Sequence, residues 1–177
     1  MAGNPTAPSH EIITIPSYGE GGRDLLKEQC FAVRIAVFSD EQGFPLDTEI
    51  DDADETAMHI LLRLTPSLEP IGTIRGHKPP GKSYYKLSRL AVLKDYRQHR
   101  FGCALVLALH DWVTRDARRA SAELGLNGAS VEVVCHSQIP VKAFYAKFGY
   151  VPEGNEFDED GAPHQKMVAR LPLQFSS

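Results

Sequence analysis

Seven apolar residues along one helical face constrain this chain more than any other feature. Phe101, Ala104, Leu105, Ala108, Leu109, Trp112 and Val113 recur at i, i+3, i+4, i+7, i+8, i+11 and i+12. That spacing predicts a one-sided helix whose stripe needs an apolar surface to cover it. Arg115, Arg118 and Arg119 lie towards its end, where cations suit the helix dipole. Just upstream, "KLSRLAVL" (Lys86–Leu93) has the alternation of a strand, with Leu87, Arg89 and Ala91 on one side and Ser88, Leu90 and Val92 on the other. Only the basic stretch Lys94–Arg100 separates the two, so strand, turn and helix form one unit.

The rest of the chain repeats this alternation. "EIITIP" (Glu11–Pro16) reads as a first strand, ended by proline. Residues Arg23–Phe38 carry Leu26, Cys30, Val33 and Val37 at helical spacing. An acidic loop follows. "MHILLRL" (Met58–Leu64) and "PIGTIRG" (Pro70–Gly76) read as paired strands. "VEVVC" (Val131–Cys135) is a fifth strand after "GLNGAS" ends the long helix. "VKAFYAKF" (Val141–Phe148) is a short helix with Pro140 at its start and Gly149 at its end. "GAPHQKMVARL" closes the sheet. The sum is a mixed α/β domain, one sheet covered by helices. Residues 1–10 are small and polar and read as a flexible tail, leaving 11–177 as a single domain.

Composition narrows the function. A length of 177 residues, 42% hydrophobic and 24% charged, fits an ordinary globular domain. A net charge of −4 argues against a nucleic-acid partner. No apolar run is long enough to span a membrane, and no signal peptide is legible. Cys30, Cys103 and Cys135 are odd in number and widely spaced, which predicts a reducing compartment and a cytoplasmic protein, with nuclear access left open. His99, Cys103, Cys135 and His136 lack metal-ligand spacing, so metal is set aside.

The turn Lys94–Arg100 is where chemistry concentrates. A strand feeding a basic, glycine-bearing turn at a helix N-terminus offers free N–H groups and a dipole to an anion. Arg97, His99 and Arg100 add charge or donors. By themselves these residues fit a phosphate site and a solvated turn alike.

The second strand–helix pair, with "FYAKFGY", adds to this pattern. Together with "VRIAVFSDEQGFP", "EID", "KLSRLAVL" and "GAPHQKM", it resembles the GNAT superfamily of acetyl-CoA-dependent N-acetyltransferases over most of the chain. The resemblance implies a mixed, mostly antiparallel sheet of about six to seven strands, helices on both faces, splayed between strands four and five. It also implies acetyl-CoA as cofactor and an amine-bearing acceptor (small amine, polyamine, amino sugar or peptide), in a monomer or homodimer. Leu90, Ala91 and Val92 match the strand whose backbone runs beside the pantetheine arm. Arg97, Gln98, His99, Arg100, Phe101, Gly102 and Cys103 match the pyrophosphate turn. Gln138 matches an asparagine that touches the cofactor, and Tyr145 the tyrosine that protonates the departing thiolate.

A phenol with an ordinary pKa near 10 holds its proton at neutral pH and can serve as that acid. Apart from the resemblance, Tyr145 reads equally as a half-buried core residue. Cys103 reads as a packing residue. "DTEIDDADE" reads as a solvated loop, within which Glu41 upstream and Asp51 are candidates to meet a cationic acceptor. His59 reads as structural; His164 either faces the acceptor or is structural too.

Two departures from the family pattern bear on mechanism. Ser88 stands where many members place a glutamate base, which leaves Glu41, Asp51, His164 or no base at all. Arg100 replaces the first glycine of the turn. A non-glycine residue there predicts an ordinary negative φ, with N–H donors from Phe101, Gly102 and Cys103 forming the cradle. A CoA-binding sensor without turnover is the rival reading, and a phosphate loop for another nucleotide the third.

Overall fold

The computed structural model describes residues 6–123 and 129–173. The chain forms two compact units, Met1–Arg75 with Arg89–Ala108 and Gly76–Ser88 with Leu109–Ser177.

The first unit holds β1 (His10–Thr14), α1 (Arg23–Arg34), a π-helix (Ile35–Glu41), a 3-10 turn (Leu46–Thr48), α2 (Ala53–Thr56) and β2 (Met58–Leu64). It also holds most of β3 (Pro70–His77), the second half of β4 (Tyr85–Val92), a 3-10 helix (Lys94–His99) and the start of α3 (Phe101–Glu123). β1 runs antiparallel to β2 from His10↔Leu64 to Thr14↔Ile60. The apolar stripe of α1 meets this layer. Cys30 packs with Ile15 and Leu61, and Val33 and Val37 pack with Ala91. Gly72 lets the backbone come close: a Cβ there would stand 3.2 Å from Leu105 and 3.5 Å from the Ala91 carbonyl.

The second unit holds the start of β4, the rest of α3, β5 (Ser130–Gln138), α4 (Lys142–Ala146), β6 (Val151–Pro152), β7 (Phe157–Glu159) and β8 (Ala162–Pro172). Val131, Val133, Val134 and Cys135 of β5 are all buried, as expected of a strand covered on both faces. β5 pairs antiparallel with β8 along its whole length, from Ser130↔Pro172 to Gln138↔His164. β4 pairs with β5 in parallel over Tyr85↔Val133 to Leu87↔Cys135 only, although both strands run on. The strand order is β1-β2-β3-β4-β5-β8-β6, with β7 pairing to β8.

This is the mixed, mostly antiparallel sheet expected, with eight strands instead of six or seven. β6 and β7 have two and three residues, too few to show a period in the sequence. The first helix differs as well. It is α-helical only to Arg34 and continues as a π-helix, closed by Gln42 N–H to the Val37 carbonyl at 3.1 Å. The strand at the N-terminus starts at His10, inside the expected tail, whose first five residues lie outside the described ones. Most of "GLNGAS" also lies outside them.

The acidic loop is only partly solvated: Asp47, Asp51, Asp52 and Glu55 are exposed, but two of its carboxylates turn inward. Glu49 and Asp54 are buried, at 4% and 3% exposure, beside a fully buried Arg34. Arg34 donates from Nε to Glu49 (2.6 Å), from Nη1 to Asp54 (2.7 Å), and from Nη2 to the Glu49 carbonyl. Arg75 donates to Asp51 and Asp54, each at 2.7 Å. Burial opposes ionisation of Asp54, yet the hydrogen bond from Arg34 and the charges of Arg75 and Arg34 outweigh it and hold its pKa well below the usual carboxylate range. His59 donates Nε2–H to the Asp54 carbonyl at 3.1 Å, a structural role as expected.

Removing one partner of such a network strands a buried charge, at about 3–5 kcal/mol. Urea unfolding of Arg34→Met should show a loss of that size; a loss under about 1 kcal/mol would contradict the network's importance. Burial also pushes His59 and His110 down to about 4. Unfolded histidines titrate near 6.5. The unfolded chain therefore binds more protons below that value, and stability is lost as pH falls from about 6.5 towards 4. Unfolding at pH 6 and pH 5 should show the drop, and His110→Gln should remove about half of it.

Candidate functional site

In the first unit, β4 and the turn after it are bent by two left-handed residues. Arg89 has φ 53° and Arg100 has φ 60°. The first interrupts the even alternation expected along β4. Leu87 and Ala91 are buried as expected of one face, but Val92 is buried beside Ala91. The Arg89 side chain holds the bend. Its Nε and Nη2 donate to the carbonyls of Glu49 (3.1 Å) and Thr48 (3.0 Å), and it pairs with Glu49 at 3.4 Å and Asp51 at 3.5 Å. Leu90, Ala91 and Val92 follow directly on this anchored bend.

The φ of Arg100 corrects the expectation of an ordinary negative value. The 3-10 helix Lys94–His99 must turn into α3 within one residue, and Arg100, its C-cap at φ 60° and ψ 24°, makes that turn in the region where glycine is at ease. The turn has thus kept its glycine-like shape without the glycine. The cradle is also narrower than expected. Cys103 N–H donates to the Arg100 carbonyl at 3.0 Å, and Ala104 N–H to the same oxygen at 3.3 Å. Phe101 and Gly102 remain as first-turn N–H groups, which have no acceptor within α3. Cys103 is a free, half-buried thiol.

The side chains of the turn are engaged. Arg97 donates Nη1 and Nη2 to Glu41 at 2.7 and 2.6 Å, a bidentate pair, and Nε to the Val92 carbonyl at 2.9 Å. Gln98 donates to the Asp95 carbonyl at 2.7 Å. His99 packs on Phe101 with ring centroids 5.6 Å apart. Glu41 and Asp51, read as separate acceptor-binding groups, are thus each held by an arginine. The Arg97 bond lowers the pKa of Glu41; for Asp51 the Arg75 bond and charge outweigh desolvation and lower it too.

In the second unit, Gln138 is the last residue of β5 and lies opposite His164 of β8. Pro140 opens the 3-10 turn Ile139–Val141, which leads into α4 and Tyr145. Tyr145 is 9% exposed, with its ring 5.2 Å from Phe144 and 5.7 Å from Tyr150. Burial raises its pKa well above the ordinary phenol value, so the phenol is protonated at neutral pH. Tyr150 Oη and His110 Nε2 share a hydrogen bond of 2.8 Å. Burial pushes the Cys135 thiol up to about 12, which leaves it no thiolate character near neutrality.

His164 is buried. It donates Nδ1–H to the Ala162 carbonyl at 2.8 Å. Its Nε2 stands 3.9 Å from Glu159, which accepts from His136 Nδ1 at 2.8 Å. Among the described residues, no three His, Cys, Asp or Glu side chains are grouped to hold a metal ion. No helix among them is long and apolar enough to cross a membrane.

Sequence reasoning missed the buried arginine network, Arg89, and the Glu159–His136 pair. Arg34 was the available signal: it stands four residues after Cys30 and three before Val37, inside the apolar stripe. An arginine on a buried face needs carboxylates, and the acidic loop supplies them.

The family model for the acetyltransferase (GNAT) domain matches residues 45–171. The chain belongs to the GNAT acetyltransferase family. A candidate acetyltransferase of Bacillus subtilis is 34% identical over 145 residues, covering 78% of this chain and 85% of its own. The crystal structure of a candidate N-acetyltransferase of Lactobacillus plantarum matches with a TM-score of 0.73 and 29% identity, covering 92% of this chain and 99% of its own. The CoA-dependent acyl-homoserine lactone synthase BjaI, solved with isopentyl-CoA, shares the fold at a TM-score of 0.67 and 17% identity, covering 92% and 84%. The chain is accordingly an N-acyltransferase enzyme.

The left-handed arginine gives a stability test. A left-handed non-glycine residue costs about 1–2 kcal/mol, and glycine at such a site returns part of it after its own entropy cost. Arg100→Gly should raise unfolding free energy by about 0.5–1 kcal/mol. A decrease would show that the Arg100 side chain contributes more than its backbone strain costs.

Proposed function

We propose that this chain transfers an acetyl group from acetyl-CoA directly to a primary amine in a ternary complex. The observation that carries the reading is the protonated phenol of Tyr145, buried on α4 just after Gln138 ends β5. The amine nitrogen attacks the thioester carbonyl, the C–S bond breaks, and Tyr145 gives its proton to the thiolate. Backbone N–H groups near Leu90, Ala91 and Val92 stabilise the oxyanion, already oriented by the Arg89 bend. The pyrophosphate takes the N–H groups of Phe101 and Gly102, and Arg100 supplies charge beside it. No acetyl-enzyme is needed when amine and thioester are held together.

One observation favours the rival, a CoA-binding sensor without turnover. Glu41 and Asp51 are paired with arginines, so neither is a ready partner for an acceptor ammonium. Incubation with acetyl-CoA and a panel of primary amines, polyamines, amino sugars and peptides separates the two. Amine-dependent release of free thiol is expected, and its absence across the panel would favour the sensor. Tyr145→Phe should leave the acetyl-CoA Kd within about twofold and lower kcat by about 10²–10⁴. An unchanged kcat across pH would remove Tyr145 from the reaction.

A further inference from the structure

We propose that His164 is the general base that takes the acceptor's proton, with Glu159 and His136 as the residues that position it. The inference rests on the amine acetyl-transfer reading above and supplies the group that Ser88 leaves missing.

The tautomer is the first argument. A carbonyl can only accept, so the 2.8 Å contact with Ala162 places the proton of neutral His164 on Nδ1. Nε2 is then the lone-pair nitrogen. This Nε2 stands 3.9 Å from Glu159 Oε2, outside hydrogen-bond reach. Once protonated, the same nitrogen faces a carboxylate. Neutral His164 therefore keeps a lone pair beside a carboxylate that lies outside hydrogen-bond reach.

The second argument is how the carboxylate is held. Glu159 accepts from His136 Nδ1 at 2.8 Å, and that bond, with the charges of His136, Lys86 and His164, keeps its pKa low. It is therefore an anion at neutral pH. Phe157 fixes the two rings, lying edge-on to His136 at 4.9 Å and stacked on His164 at 6.3 Å. The hairpin register places Phe157 opposite His164 and Glu159 opposite Ala162, so one short strand carries both the spacer and the charge. The charged groups facing the pair are Glu159 on β7, His136 on β5 and Lys86 on β4, with Lys142 of α4 turned to Gln165.

The third argument is position. His164 is the cross-strand partner of Gln138, at the end of β5 that leads into the helix of Tyr145. About 8% of its side chain is open to solvent. In the step, the new N–C bond forms, the proton on the attacking nitrogen moves to His164 Nε2, and the C–S bond breaks as the thiolate takes the Tyr145 proton. His164 then releases its proton to solvent and the Tyr145 phenolate takes one up, so charge and atoms balance.

Two measurements test this. With the panel amine that the wild type acetylates fastest, Glu159→Gln should lower kcat/KM at neutral pH severalfold, with the acetyl-CoA Kd unchanged. An unchanged kcat/KM would overturn the pairing. For the same amine, His164→Gln should lower kcat/KM by about 10²-fold or more at neutral pH. The variant's rate should rise tenfold per pH unit up to the amine's own pKa, with the acetyl-CoA Kd unchanged as proof of folding. Wild-type turnover with an unchanged His164→Gln rate and pH profile would overturn the role of His164 alone. No turnover by the wild type with any amine would overturn the acetyl-transfer reading and this role with it.

Discussion

The buried guanidinium of Arg34 is the constraint on which the first unit depends. A charge without solvent must be met on every side, and Glu49 and Asp54 meet it. Those carboxylates then recruit Arg75 from β3 and Arg89 from β4. Helix, acidic loop and two strands are fixed by one set of charges. Apolar contacts alone would tolerate a slide of one element past another; directional hydrogen bonds between charged groups do not.

That network reaches the chemistry through Arg89. A left-handed arginine in a strand is strained, and its grip on the carbonyls of Thr48 and Glu49 offsets that strain. The residues after it, Leu90 to Val92, are those proposed to run beside the cofactor. The turn at Arg100 solves a similar problem differently. Its side chain is exposed, so the strain there is compensated by the fold around the turn and not by a buried partner.

Much of this was legible in the sequence. The period-3.6 stripe placed α3 at Phe101, where it begins, and the run Met58–Leu64 gave β2 its full extent. The strand, turn and helix of β5, Pro140 and α4 were placed because strand–turn–helix order is a local property. What was not legible depends on distance along the chain. Arg34 meets Asp54 twenty residues away and Glu159 meets His136 twenty-three away. No local period marks such partners. The sign of φ at Arg100 was misread for a related reason: residue type sets only a preference, and the junction of two helices overrode it.

The proposed chemistry needs an acid and a base, and the second unit carries two titratable side chains with opposite assignments. Burial keeps Tyr145 protonated. A carbonyl keeps the Nε2 of His164 bare, and a carboxylate awaits its proton. Acid and base are set apart by environment, as acyl transfer near neutral pH requires. The most direct measurement is mass spectrometry of protein and amine after incubation with acetyl-CoA. Direct transfer predicts one N-acetyl group on the amine for each CoA thiol released, with the protein unmodified throughout. An acetylated protein that passes its acetyl group to the amine, or CoA binding with no acetylated amine, would contradict it.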